Sequence, residues 1–374
     1  MRILFTGGGT GGHFFPIIAI ARELKRIAED ERILGLELYY IGPDDFGREM
    51  LNREDIVSET LPTGKLRRYF SILNLVDLAK TFRAVLAAFW KLFRLMPDAV
   101  FSKGGFGAFP LLLVSRIYGI PVIIHESDAA PGLVNRWSGK FAKRIGVAFA
   151  KAASYFPPEK TAVLGNPIRK RILGGIRDEA KDRFAIFSQK PVVLVLCGSQ
   201  GAFPINQMIL SGLKAFVNDF EIIHQTGRDN FADISAESTV ILSSETKAYY
   251  HPYPFLDETR LREAYAACDI VIARSGSGIF EIAAAAKPSI LIPLPHAAQD
   301  HQRKNAYEYA KVSGAVVIEQ NNATPNLVRH TLLRIFETPG ELARMQQGAA
   351  AFARVDAAEI IAREILNLGL KHHG

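Results

Sequence analysis

Short runs of consecutive apolar residues alternate along this chain with longer stretches in which apolar positions recur every three or four residues. An uninterrupted run of about four to eight apolar residues between turn signals suits a strand covered on both faces, and the helical recurrence suits an element lying on such a sheet. In the first half the runs RILFT (2–6), LELYYIG (36–42), DAVFSKGG (98–105) and IPVIIHE (120–126) predict buried parallel strands. PVVLVLCGS (191–199), FEIIHQTG (220–227), DIVIARSG (269–276) and PSILIPLP (288–295) predict the same in the second half. The alternation predicts α/β architecture with doubly wound sheets. Each half also opens alike, with a strand running into a glycine turn and then a helical pattern: RILFTGGGTGGH and VVLVLCGSQGA. Two similar domains facing across a cleft are therefore expected, with ligands at the carboxyl ends of the strands.

The proline- and glycine-containing stretch SYFPPEKTAVLGNPIRK (154–170) marks the boundary. Residues 1–163 are read as the first domain and 164–350 as the second. The closing helical segment, 351–374, is free to pack on either domain, a return onto the first included.

The first glycine turn, TGGGTGGHFFP (6–16), satisfies G-x-G-x-x-G through Gly7, Gly9 and Gly12. Three features argue against a dinucleotide fingerprint. No Lys-Ser/Thr follows the glycines, so it is not a Walker loop either. The first acidic pair after the second strand, Asp44 and Asp45, comes too late for a ribose contact. His13 also stands where a dehydrogenase helix needs only a small residue. What remains is an anion cradle at a helix N-terminus, with a histidine able to contact phosphate or take a proton.

At 374 residues, with 48% hydrophobic and 22% charged residues, the chain is long enough to bury two cores. No apolar run reaches transmembrane length and no signal peptide is expected, so the default compartment is cytoplasmic. Two cysteines, Cys197 and Cys268, make neither a disulfide framework nor a thiol metal site, and no motif with metal-ligand spacing occurs. Neither a metal ion nor an organic cofactor is expected.

The net charge of +7 is concentrated early: residues 1–167 hold 22 Lys or Arg against 16 Asp or Glu, an excess of six. Much of it lies between Lys65 and Arg94, where Arg67, Arg68, Lys80, Arg83 and Lys91 are interleaved with Tyr69, Phe70, Phe82, Phe89, Trp90 and Phe93. A basic stretch with aromatics has the composition of an interfacial membrane helix. The plainer alternative is a helix packed on the sheet. No nucleic-acid motif accompanies the stretch, so nucleic acid is not expected as a partner.

Other polar clusters follow predicted strands. HESDAAPGLVNR (125–136) sets His125, Glu126 and Asp128 at a strand's carboxyl end, a sound place for acid–base groups. The competing reading makes Asp128 a helix cap and His125 a satisfied core residue. GSQGA (198–202) repeats the cradle with Ser199 as an added donor, and Arg169 in GNPIRK offers a cation to the same anion. RSGSGIFE (274–281) makes a further glycine turn with Glu281 one helical turn on, where a carboxylate suits ribose hydroxyls. PLPHAAQDHQRKNA (293–306) gathers Gln299, His301, Gln302 and Asn305.

Taken in order, GGTGGHFFP, HESDAAPGLVNR, GNPIR, GSQGA, RSGSGIFE and HQRKNA resemble the family of UDP-N-acetylglucosamine transferases that convert lipid I to lipid II in peptidoglycan synthesis. The resemblance spans essentially the whole chain. It implies two Rossmann-like domains of the GT-B glycosyltransferase fold, UDP-N-acetylglucosamine as donor and undecaprenyl-diphosphate-linked lipid I as acceptor. It also implies a peripheral enzyme on the anionic cytoplasmic face of the cell membrane, touching it through Arg67, Arg68, Phe82, Trp90, Lys91, Phe93 and Arg94. In such enzymes Thr10, Gly11, Gly12 and His13 would face the reacting sugar and the acceptor diphosphate. Arg169, Ser199 and the turn Ser275, Gly276, Ser277 and Gly278 would hold the UDP phosphates. Glu281 would bind the ribose, Leu256 the uracil through its backbone, and Gln302 the sugar hydroxyls. The base is sought among His13, Glu126 and Asp128, the last also a sugar contact. The chain departs from the family pattern at Asp128, where asparagine is usual, and between Arg274 and Glu281, one residue shorter than usual. A different glycosyltransferase or a sugar-nucleotide epimerase on the same fold is the nearest alternative, although a soluble-substrate epimerase has no use for a membrane-facing stretch.

Overall fold

The computed structural model describes residues 1–8, 11–45, 47–64, 73–198 and 201–373, with the side chains of 73–76, 372 and 373 set aside. Two compact units emerge: residues 1–169 with 354–374, and residues 170–353. The first unit runs past the expected break after residue 163 because the segment 164–169 is tied into it. There the Asn166 side chain and the Gly165 carbonyl accept hydrogen bonds from buried side chains of the same unit.

In the first unit β1 (Arg2–Thr6), β2 (Glu37–Gly42), β3 (Val57–Thr60), β4 (Ala99–Ser102), β5 (Val122–Glu126), β6 (Arg144–Val147) and β7 (Thr161–Val163) form one parallel sheet, ordered β3-β2-β1-β4-β5-β6-β7. The register pairs Ile3 with Ala99 and Thr6 with Ser102, so β1 and β4 end side by side. The Lys103 amide then donates to the Thr6 carbonyl, 3.0 Å, carrying the alignment one residue further. Strand order reverses between these two strands, and the loops leaving them form the crevice where such sheets hold ligands.

The second unit repeats the plan with β8 (Val192–Leu196), β9 (Glu221–Gln225), β10 (Tyr250–Tyr253), β11 (Ile270–Ala273), β12 (Ser289–Leu291) and β13 (Ala315–Val317), ordered β10-β9-β8-β11-β12-β13. Its reversal falls between β8 and β11, where Leu196 pairs with Ala273.

Central strands are buried along their length, as β4, β5 and β9 are, because helices cover both faces. On one face of the first sheet the helix Gly11–Asp30 packs Ile17, Ile20, Leu24 and Ile27 against Ile3, Phe5 and Phe101. The last helix, Ala357–His373, joins this core through Ala358, Ile361, Ala362, Ile365 and Leu366, the spacing of one helical face. On the other face Ala84, Ala88 and Leu92 seat the helix Leu73–Leu95 against Leu111, Leu112 and Val114.

Candidate active site

In the first unit the site grows from the ends of β1, β4 and β5. His13, half-buried, is the third residue of the helix Gly11–Asp30, whose free amides and positive dipole end face the β1 loop. A Cβ added to Gly8 would stand 3.0 Å from His13 Nδ1, so the glycine is what lets the imidazole lie against the loop. After β4 the chain turns through Gly104 and Gly105, at φ 76° and 83°. A Cβ on Gly104 would lie 2.6 Å from Asn135 Oδ1, so both conformation and space demand glycine there. Gly11 and Gly12 are the first two residues of the helix, and Thr10 lies outside the described residues.

The strand β5 delivers the carboxylates, and they do different things. Glu126 is 5% exposed, and its carboxylate accepts from the Asp128 amide (2.9 Å), the Gly132 amide (3.0 Å) and Asn135 Nδ2 (2.9 Å). Burial, reinforced by the neighbouring Asp128, pushes its pKa up, while those donors pull it down. With three donors on its carboxylate, Glu126 shapes the loop 127–132. Asp128 is half-buried at the rim of the same loop. His125 is fully buried: Nε2 donates to the Gly165 carbonyl (2.8 Å), leaving Nδ1 as an acceptor. Burial and Lys103 together hold it neutral, so the core-histidine reading applies.

Lys103 is the residue the sequence reading passed over. It is 1% exposed, and its ammonium donates to His125 Nδ1 (2.7 Å), Ser127 Oγ (2.6 Å) and Asn166 Oδ1 (2.9 Å). The available signal was a lysine directly after the buried strand AVFS and directly before two glycines.

Arg169 closes the first unit, 4% exposed, its guanidinium 4.0 Å above the Phe15 ring. The cation is thus held beside the helix that carries His13.

In the second unit the corresponding loops leave β8, β9 and β11. Gly198 follows β8 at φ 75°, and Ser199 lies outside the described residues. Gln225, at the end of β9, donates from Nε2 to the Gly198 carbonyl and accepts at Oε1 from the Leu256 amide, both 3.0 Å. The Leu256 N–H is thus taken, and its carbonyl is the backbone atom left to meet a base. Asp257 caps the helix Glu258–Ala267 by accepting from the Arg260 amide, which fixes Leu256 just ahead of it.

Ser275 is fully buried and its hydroxyl donates to the Gln302 carbonyl at 2.7 Å, tying two elements together. Asn305 Nδ2 donates back to the Ser275 carbonyl. Gln302 accepts at Oε1 from the Leu294 amide, which leaves its Nε2 hydrogens for another partner. Gly276 and Gly278 have open space where a side chain would stand, and Ser277 precedes the helix Gly278–Ala284. Glu281, half-buried, lies in the first turn of that helix. His296, Gln299 and Asp300 all take left-handed backbone angles ahead of the helix His301–Ala310, a concentration of strain typical of ligand loops.

The helix Leu73–Leu95 has a second, outward face. Phe82, Trp90 and Phe93 are 63%, 63% and 61% exposed, and Leu78 and Leu86 continue the stripe. Trp90 and Phe93 stack on each other, ring centroids 6.3 Å apart. Lys80, Arg83 and Arg94 are exposed beside them, whereas the Lys91 ammonium is paired with the Glu59 carboxylate. Arg67 and Arg68 lie outside the described residues. No helix among the described residues is long and apolar enough to cross a membrane.

Residues 3–147 match the glycosyltransferase family 28 N-terminal domain, and residues 192–361 match its C-terminal domain. A Bacillus thuringiensis (strain Al Hakam) protein named UDP-N-acetylglucosamine–N-acetylmuramyl-(pentapeptide) pyrophosphoryl-undecaprenol N-acetylglucosamine transferase 3 is 34% identical over 333 residues, 88% of this chain and 90% of that one. A Thermoanaerobacter (strain X514) transferase of the same name, without the numeral, is 31% identical over 372 residues, 98% of this chain and 100% of its own. Among solved structures, Acinetobacter baumannii MurG shares the fold with a TM-score of 0.72 at 24% identity, covering 98% of this chain and 99% of that one. The doubly wound pair of units is the GT-B architecture.

Proposed function

The chain belongs to glycosyltransferase family 28, and from that premise we propose that it transfers N-acetylglucosamine from UDP-N-acetylglucosamine to lipid I, yielding lipid II and UDP in peptidoglycan synthesis. The observation that carries this reading is that the likeness to transferases of that name runs through both units and nearly end to end.

The reaction is a single inverting displacement. The C4 hydroxyl of the lipid-linked N-acetylmuramyl-pentapeptide attacks the anomeric carbon, a new C–O bond forms there, and the bond to the UDP oxygen breaks. The hydroxyl proton goes to a base, and the departing diphosphate gathers negative charge that amides and cations must meet. His13 is the first choice for that base, since it combines partial exposure with a position at a helix N-terminus. Asp128 is the second, at the rim of the neighbouring loop. Gly11 and Gly12 offer amides to the acceptor diphosphate, with Thr10 beside them. On the donor side Arg169, Ser199, Gly276, Ser277 and Gly278 serve the UDP phosphates, Glu281 the ribose, the Leu256 carbonyl the uracil, and Gln302 Nε2 the sugar.

An acceptor anchored by a polyprenyl chain requires an enzyme that docks on the cytoplasmic leaflet. The aromatic stripe Phe82, Trp90 and Phe93, with Arg94 exposed beside it, supports docking on an anionic membrane surface, and Arg67 and Arg68 add basic charge a few residues earlier in the sequence. The direct test is UDP release from UDP-N-acetylglucosamine on adding a lipid I analogue, with water alone as the control. Release that does not depend on the analogue, or none with it, refutes the reading.

A further inference from the structure

Lys103 has no part in the scheme above, although it is the ammonium beneath the acceptor loops. Its three donors are spent on His125, Ser127 and Asn166, and it cannot touch a substrate, being 1% exposed. The charges around it belong to the site. Glu126 and Asp128 both act on it electrostatically, and His125, held neutral, cancels neither of them. Across the β1 loop, a Cβ on Gly7 would stand 3.5 Å from the Cβ atoms of both His13 and Lys103. The rim that must receive an acceptor diphosphate therefore carries two carboxylates over one buried cation. Without the cation, two negative charges in a poorly solvated site would face an incoming dianion.

We propose that Lys103 is a positioning residue for acceptor binding: its buried ammonium is the counter-charge that allows the Glu126–Asp128 edge to admit a diphosphate-bearing acceptor. The proposal rests on the transferase reading. Burial draws the Lys103 pKa down while Glu126 and Asp128 draw it back up.

The test measures steady-state KM for a lipid I analogue and for UDP-N-acetylglucosamine separately. Lys103→Met is expected to raise the acceptor KM about tenfold or more, with the donor KM within about twofold, because apart from Arg169 the donor contacts lie in the other unit and Lys103 hydrogen-bonds none of them. In Lys103→Met/Asp128→Asn one negative charge has left with the positive one, and the acceptor KM is expected to return to that of Asp128→Asn alone. A purely architectural lysine predicts no such recovery. Asn166→Asp guards against misfolding of the methionine variant. It keeps the ammonium and the side-chain size, places a carboxylate on Nζ, and should also raise the acceptor KM. An unchanged acceptor KM in Lys103→Met or in folded Asn166→Asp, or a double variant no better than Lys103→Met, overturns the proposal. Wild-type protein that releases no UDP with the analogue overturns the transferase reading instead, and the two failures are thereby separated.

Discussion

Removing the aromatic stripe by Phe82→Ala/Trp90→Ala/Phe93→Ala is expected to release the protein from membranes without unfolding it. The helix is seated by Ala84, Ala88 and Leu92 on its opposite face, none of which is touched. The three aromatics keep 63%, 63% and 61% of their surface uncovered. Large aromatic side chains carry about 150–250 Å² each, so together they expose on the order of 350 Å². At ~25 cal/mol per Å², full transfer from water would be worth about 9 kcal/mol. Immersion to headgroup depth covers roughly a third of that, leaving about 3 kcal/mol, or on the order of a hundredfold in partition. The assay is co-sedimentation with vesicles containing phosphatidylglycerol, with phosphatidylcholine vesicles as the neutral reference. Each basic residue near the surface adds about 1 kcal/mol on anionic lipid only, so Arg67→Glu, Arg68→Glu and Arg94→Glu should weaken binding there. Lys91→Glu should weaken it less, since Glu59 already neutralises that ammonium. Unchanged partition of the triple alanine variant would refute the insertion argument, and equal wild-type binding to neutral vesicles would refute the electrostatic share.

His13→Ala should lower kcat by about 10²–10⁴ at saturating donor if the imidazole takes the proton; an undiminished rate hands that task to Asp128. Ile365→Ala should lower the stability of the first unit by about 2–5 kcal/mol, because Ile365 is fully buried in that unit's core. Calorimetry should then show the first unit's transition moving while that of the second stays in place. Burial lowers the pKa of His224 to about 3, against an unfolded value near 6.5. The folded chain therefore binds fewer protons between those values, and its stability is full above about pH 6.5 and falls as the pH drops towards 3. His224→Gln should flatten that limb in a Tm-against-pH series, and an unaltered limb would mean that other groups account for it.

The parts of the fold that declared themselves in the sequence are the buried central strands. RILFT is β1 residue for residue, and the runs around 36–42, 120–126 and 220–227 contain β2, β5 and β9, because a strand covered on both faces leaves an unbroken apolar run. The strands that did not are short and lie towards the sheet edges. Val57–Thr60 alternates between exposed and half-buried positions, and Thr161–Val163 sits inside the stretch that its prolines marked as a linker. The site divides in the same way. Glycine turns mark where backbone can approach a ligand, and these single out His13 and the 274–281 turn in the sequence alone. Which polar side chains are consumed internally is a tertiary property. That Glu126 spends itself on its own loop, Ser275 on Gln302 and the Leu256 amide on Gln225 could be read only once the elements had been brought together.

The last helix completes the core of the first unit, so the second unit is, in covalent terms, an insertion between two pieces of its neighbour. During synthesis Ile3, Phe5 and Ile17 emerge well before the residues that cover them, Ile361 to Leu366, with the whole second unit translated in between. The domain that starts first on the ribosome can close only after the other has had time to fold. Until then the nascent chain carries an uncovered apolar groove, and a chain cut anywhere between the second unit and Ala357 leaves that groove open for good.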